Sequence, residues 1–239
     1  MIWKKFHNKI DFHYQDQPFV IKGCLDDPSQ YVSWQDIETC LNVPQNYSIE
    51  AISHYDSSKI ELQTTRCFWI PDKEIPIKSE LFDFFNCGHT IIIAEYSWHN
   101  QKANDLVKEL EELYDIACDI HVYCSTKPSK SFNIHDDMPC NIICQVEGKT
   151  RWKVYDNRSS HLYNIASLPL EYKLNPDKYF TTLIDEVLEP GDILYIPARQ
   201  FHAADPFEPR ISMSIPCFNT QLRQFEKYDR NQYRKNKSN

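Results

Sequence analysis

Residues Ser131–Asp156 read SFNIHDDMPCNIICQVEGKTRWKVYD, and a later segment, Gly191–Pro216, reads GDILYIPARQFHAADPFEPRISMSIP. The first holds His135, Asp136 and Asp137 in succession; the second holds His202. In an extended chain, residues i and i+2 face the same side. His135 and Asp137 can therefore grip one ion together while Asp136 points away, so replacement of Asp136 is expected to be tolerated. His202 must arrive from another strand. Two imidazoles and one carboxylate on one face leave about three positions of an octahedral ion open, which is the donor set of a non-haem Fe(II) site.

An H-x-D triplet arises often by chance, so its surroundings decide. Asn141–Val146 is an apolar run with β-branched content, Glu147-Gly148 is a turn signal, and Thr150–Tyr155 is a second strand candidate. Downstream, Glu189-Pro190-Gly191-Asp192 is a turn, Ile193–Ile196 reads as a buried strand, and Pro197 closes it shortly before His202. Both ligand groups thus fall at strand edges in a hairpin-rich, all-β region.

The stretches VYCSTKPSKSFNIHDD, QVEGKTRWKVY, LEPGDILYIPARQFHAA and RISMSI resemble the JmjC-type cupin oxygenases, nearest the branch of ribosomal-protein hydroxylases. QPFVIKG, VSWQDIETCLN and GHTIIIAE resemble that family's entry elements, so the likeness covers most of residues 15 to 217. It implies a mainly β fold, a double-stranded β-helix with a few flanking helices. On this reading residues 1–239 form one domain, with strand and helix elements over 1–90, the core β-helix over 90–217 and a short polar tail over 218–239. It also implies Fe(II)- and 2-oxoglutarate-dependent hydroxylation with O2, on a protein side chain or an amino-acid-like substrate. His135, Asp137 and His202 would hold the metal. Tyr123 and Asn141 match positions that reach the cosubstrate.

The sequence departs from the family at the cosubstrate anchor. The JmjC-like pattern has Lys or Arg fifteen residues after the first ligand histidine, and here that residue is Thr150. Lys149 and Arg151 flank it, but strand alternation turns both outward. A buried dicarboxylate needs a cation. Other 2-oxoglutarate oxygenases use an R-x-S pair on the last core strand, and Arg210-Ile211-Ser212 supplies one. Arg210 and Ser212 share a face and can meet one carboxylate, with Thr150 and Tyr123 adding hydroxyls. Three other readings remain: a metal-dependent cupin that does not use 2-oxoglutarate, a peptide-binding pseudo-enzyme, and a structural zinc site with His121 as the fourth ligand.

Composition narrows the field further. A chain of 239 residues with 41% hydrophobic and 13% aromatic residues can bury a core. Only 4 glycines stand against 14 prolines, and no glycine-rich phosphate loop occurs, which argues against nucleotide chemistry. The net charge of −8 argues against a nucleic-acid partner. The 9 cysteines include no C-x-x-C pair and read as buried thiols of a reducing compartment. Met1–Phe12 is charged and lacks the apolar core of an export signal, and no apolar run approaches the ~20 residues that cross a membrane. A cytoplasmic protein without a membrane partner is expected, and a homodimer is left open.

Elsewhere, Pro18–Gly23 reads as a strand and turn. Ser33 caps a helix through Cys40 or Leu41. Tyr47–Ile70 holds strands and a loop. Thr90–Ala94 and Asp119–Tyr123 are strands, and Ala103–Tyr114 is a helix with Leu106, Leu110 and Leu113 on one stripe. Trp152 reads as core packing. Asn157–Asp177 is a long polar connection, made aromatic by Tyr163, Tyr172 and the adjoining Tyr179, of a length that serves either as a substrate loop or as decoration of the fold. A helix over Gln221–Tyr228 precedes a frayed end.

Overall fold

A computed structural model describes residues 3, 17–68, 70, 72–158 and 169–219. Fourteen strands lie in this region. The first seven are β1 (Phe19–Ile21), β2 (Ser48–Ile52), β3 (Lys59–Ile60), β4 (Thr64–Arg66), β5 (Glu74–Pro76), β6 (Thr90–Ala94) and β7 (Ile116–Cys118). The others are β8 (His121–Ser125), β9 (Cys140–Glu147), β10 (Thr150–Arg158), β11 (Thr182–Leu188), β12 (Ile193–Ile196), β13 (Gln200–Pro206) and β14 (Arg210–Asn219). Five α-helices accompany them: α1 (Trp34–Asn42), α2 (Lys78–Cys87), α3 (Gln101–Tyr114), α4 (Leu170–Leu174) and α5 (Pro176–Tyr179).

The strands sort into a major sheet, in the order β1-β12-β9-β14-β8-β6-β2-β3 with β7 paired to β14, and a minor sheet, β11-β10-β13. Every pairing in both is antiparallel. From β9 onward the chain crosses between the sheets at its turns: β9 lies in the major sheet, β10 and β11 in the minor, β12 in the major, β13 in the minor and β14 in the major. Two sheets laced together in this way form the double-stranded β-helix. The elements before residue 90 are less separate from the core than the sequence suggests. β1 continues the major sheet beyond β12, and β2 and β3 continue it beyond β6.

Local chemistry explains the elements that frame the site. In β9, seven of eight residues are buried, because this strand lies between β12 and β14 inside the major sheet and its other face meets the minor sheet. Gly148 makes the crossing to β10 with φ +70, and a Cβ there would lie 2.1 Å from the Pro209 carbonyl oxygen. Helix α1 starts with a complete capping box between Ser33 and Asp36. Helix α3 buries Ala103, Leu106, Val107 and Leu110 along one stripe, and the Asn100 side chain accepts from the Ala103 N–H at its start.

Two strand boundaries differ from the sequence reading. β8 begins at His121 rather than at Asp119, because the Asp119 carboxylate is occupied in a turn, accepting from Ser97 Oγ, Ser97 N–H and Ile120 N–H. β14 runs to Asn219, past the expected end of the core at 217. The long connection carries α4 and α5 in its later part. Tyr163 and the helix expected over 221–228 lie outside the described residues.

Candidate metal and cosubstrate site

The His135–Asp137 segment lies against β13 through an isolated two-residue bridge. His135 N–H donates to the His202 carbonyl at 3.1 Å and His202 N–H returns to the His135 carbonyl at 2.9 Å. Directly opposed residues of an antiparallel pair share a face, so the two imidazoles meet with ring centroids 4.3 Å apart. Asp137, two residues on, joins them. Its Oδ1 lies 3.9 Å from His135 Nε2 and its Oδ2 lies 3.6 Å from His202 Nε2. One donor atom from each of the three falls within 4.8 Å of the others.

The outer nitrogen of each ring is already committed. His135 Nδ1 donates to the Asn133 carbonyl and His202 Nδ1 to the Gln200 carbonyl, both at 2.8 Å. A carbonyl only accepts, so each Nδ1 carries the proton and each Nε2 turns a lone pair inward. His202 is 2% exposed, and burial together with the nearby His135 pushes its pKa down to about 3. It is a neutral ligand without any metal to displace its proton. Asp137 accepts from the Asn141 amide, whose own oxygen accepts from Ser214 Oγ at 3.3 Å. Asn141 thus holds a member of the candidate donor group, a partner the sequence reading did not give it.

Next to the triad, a narrow cavity of about 40 Å³ is lined by Tyr123, Phe132, Trp152 and Ser212 and closed by Arg210. Arg210 is 2% exposed. Its guanidinium donates to Ser131 Oγ at 2.6 Å and to Ser212 Oγ at 3.4 Å, while its Nε has no partner. Ser212 Oγ in turn donates to Gln145 Oε1 at 3.0 Å. Among the described residues no carboxylate pairs with Arg210, and burial pulls its pKa down to about 10. Tyr123 lies opposite Ser212 across the β8–β14 ladder, and burial raises its phenol pKa.

Lys149 and Arg151 turn outward as alternation requires, to Glu189 at 2.7 Å and Asp185 at 2.6 Å. Thr150 is buried, yet it does not line the cavity, and its hydroxyl has no partner. Trp152 stands between it and the metal end: along β10, Val154 opposes His202, Trp152 opposes Ala204 and Thr150 opposes Pro206. Thr150 thus faces inward but stands off the cavity lining, and Trp152, read more as core packing than as pocket, walls the cavity. Ser131 and Gln145 were not singled out from sequence. A serine in a polar loop and a glutamine inside a strand carry no signal until the fold brings them to Arg210.

On the outer side the triad opens into a cleft of about 900 Å³ that shares Tyr123, Asp137 and Asn141 with the site. Glu95, Glu111, Asp119, His121 and Trp98 line it further out. His121 is a cleft residue and stands outside the three-residue donor group, which removes the case for a fourth ligand and a closed zinc site.

A model of the JmjC domain matches residues 96–225. The bifunctional lysine-specific demethylase and histidyl-hydroxylase NO66 of Drosophila sechellia is 28% identical over 137 residues, 56% of this chain and 20% of that protein. Ribosomal oxygenase 1 of Danio rerio is 25% identical over 145 residues, 61% of this chain and 26% of that protein. The chain thus spans about a fifth to a quarter of the length of these curated relatives. Among solved structures, the ribosomal oxygenase YcfD from Escherichia coli in complex with cobalt and 2-oxoglutarate superposes with a TM-score of 0.59 at 21% identity, covering 98% of this chain and 57% of that one. The same protein with cobalt and succinic acid gives a TM-score of 0.60 at 20% identity over 98% and 57% of the two chains. This likeness in fold, added to a family match over more than half the sequence, places the chain in the JmjC domain family, related to the ribosomal oxygenases.

Proposed function

We propose that the chain is an Fe(II)- and 2-oxoglutarate-dependent oxygenase that hydroxylates a side chain of a polypeptide. The observation that carries this reading is Arg210. A fully buried guanidinium without a counter-ion is costly, and its unpartnered Nε belongs to a cavity whose other end is the His135, Asp137 and His202 donor set. That arrangement suits a small acid which chelates a metal at one end and presents a carboxylate at the other. The donor set also fits ferrous iron, with two imidazole nitrogens and one carboxylate oxygen on one side and room opposite. When bound, the iron and 2-oxoglutarate would supply the oxidising power drawn from O2. The residues do the rest. Nδ1 hydrogen bonds fix both rings, Asn141 steadies Asp137, Arg210 and Ser212 orient the far carboxylate, and Trp152 and Phe132 keep water out.

A polypeptide substrate is supported by the cleft. It is large, open to solvent and adjacent to the metal ligands, and the carboxylates of Glu95, Glu111 and Asp119 along it outweigh the charge of Lys108, which favours a basic segment. The relatives named for ribosomal or histidyl substrates agree in kind. A reducing compartment is part of the proposal, supported by nine cysteines that are all free thiols. The test is oxygen-dependent conversion of 2-oxoglutarate to succinate across basic peptides, ribosomal proteins and free amino acids, with mass spectrometry for a gain of one oxygen. Turnover only with a free small molecule contradicts the polypeptide reading; no succinate with any substrate contradicts the cosubstrate reading.

A further inference from the structure

We propose that Asp136 and Arg199 form a clamp that positions the metal ligands, an inference that rests on the metal reading above. Arg199 sits in the Pro197–Gln200 turn between β12 and β13, where the Gln200 N–H donates to the Pro197 carbonyl at 3.2 Å. Its φ is +63, a left-handed conformation that glycine adopts freely and side-chain-bearing residues rarely do. Arginine is a strained choice there, so the reason for it lies in the side chain. That side chain folds back and sets Nε 3.2 Å from Asp136 Oδ2, with the Asp136 side chain 3% exposed and that of Arg199 29% exposed. Oδ2 makes no aligned hydrogen bond, so the attraction is one of charge, screened little by solvent.

The backbone of the same residue makes a second tie: Arg199 N–H donates to the Asp137 carbonyl at 2.8 Å. The His135–Asp137 segment belongs to no strand, and its pairing to His202 is an isolated bridge. The reach between Asp137 and His202 therefore depends on these few contacts. Asp136 faces away from the metal, as alternation requires, but its carboxylate anchors its two neighbours through Arg199, so the clamp replaces the expectation from sequence that a change at Asp136 is tolerated. Partners of this kind hold ligands in the geometry the ion needs.

The test uses Asp136→Asn, Arg199→Gly and the double variant. Arg199→Gly keeps the turn, relieves its strain and retains the amide that reaches Asp137, so it removes the side chain alone. Three measurements are needed. In the metal-free protein, hydrogen exchange of peptides covering 133–138 is expected to accelerate on the order of tenfold in each single variant. In Co(II) titrations each single variant is expected to bind roughly 10–100-fold more weakly, and the double variant no worse than the weaker single. Arg199→Gly leaves the buried Asp136 carboxylate without its cation, so its melting temperature is expected to fall and to recover in the double variant, a rescue that loss of packing in the turn alone would not give. Wild-type exchange and wild-type Co(II) affinity in both single variants would overturn the clamp. Failure of the unaltered protein to bind Co(II) defeats the metal reading instead, and the exchange measurement alone then decides the clamp.

Discussion

At the scale of the residue, the site depends on which groups carry charge before any ligand arrives. His202 is neutral because it is buried, and it offers Nε2 because Nδ1 is tied to Gln200. A ligand that has no proton to lose binds metal at little cost. Replacing His135, Asp137 or His202 with Ala is expected to abolish Co(II) binding, measured by titration, with the fold retained by circular dichroism. Arg210 is the opposite case. It remains a buried cation with two serine hydroxyls and, among the described residues, no acid. Arg210→Met should therefore stabilise the ligand-free protein by about 1–3 kcal/mol, since it removes an unpaired buried charge, while 2-oxoglutarate ceases to raise its melting temperature. A ligand-free Arg210→Met protein that melts well below the unaltered one would show that the guanidinium is structural.

At the scale of the element, the crossing from β9 to β10 is the tightest point. Gly148 combines φ +70 with a backbone oxygen where a Cβ would go. Gly148→Ala is expected to cost about 2–4 kcal/mol, lowering Tm by roughly 5–15 °C for a chain of this size, as calorimetry would record. Such turns were legible in the sequence because each strand run ends in a turn signal, Glu147-Gly148 after β9 and Pro190-Gly191 before β12, but the hairpins expected there are crossings between the two sheets. Helices α1 and α3 were legible from Ser33 and from the leucine stripe. Helix α2 was not identified, because Phe82, Phe84 and Phe85 are only partly buried and blur the period. The grouping of the triad was legible because parity fixes His135 and Asp137 on one face, and the outward turn of Lys149 and Arg151, which leaves Arg210 as the buried cation, was legible from the same parity. For Thr150 parity gave the face and not the depth: it is inward, as expected, with Trp152 between it and the donor group. The contacts of Ser131, Gln145 and Arg199 cross 79, 67 and 63 residues of sequence to reach their partners, and no local pattern announces them.

At the scale of the whole molecule, the alternation of strands between two sheets brings three distant segments to one point. The loop before β9 supplies His135 and Asp137, β13 supplies His202, and β14 supplies Arg210, so the donor group and the buried guanidinium are fixed by the same lacing. The outer cleft extends the site toward solvent with carboxylates on its walls. If a basic segment docks there, raising salt from low to physiological strength should raise KM for a basic peptide. Glu95→Gln should lower kcat/KM on it by about two- to fivefold, without changing the half-saturating concentration of 2-oxoglutarate; steady-state kinetics against both substrates measures this. The central claim is that the triad and Arg210 together form one metal and cosubstrate site. Titration of 2-oxoglutarate into the Co(II)-loaded protein tests it most directly. Saturable binding is expected in the unaltered chain, in Lys149→Ala and in Arg151→Ala, with Arg210→Ala weaker by about tenfold to a hundredfold, a loss of ~1.5–3 kcal/mol for a charged hydrogen bond. Unchanged affinity in Arg210→Ala, with binding lost in Lys149→Ala or Arg151→Ala, would contradict it.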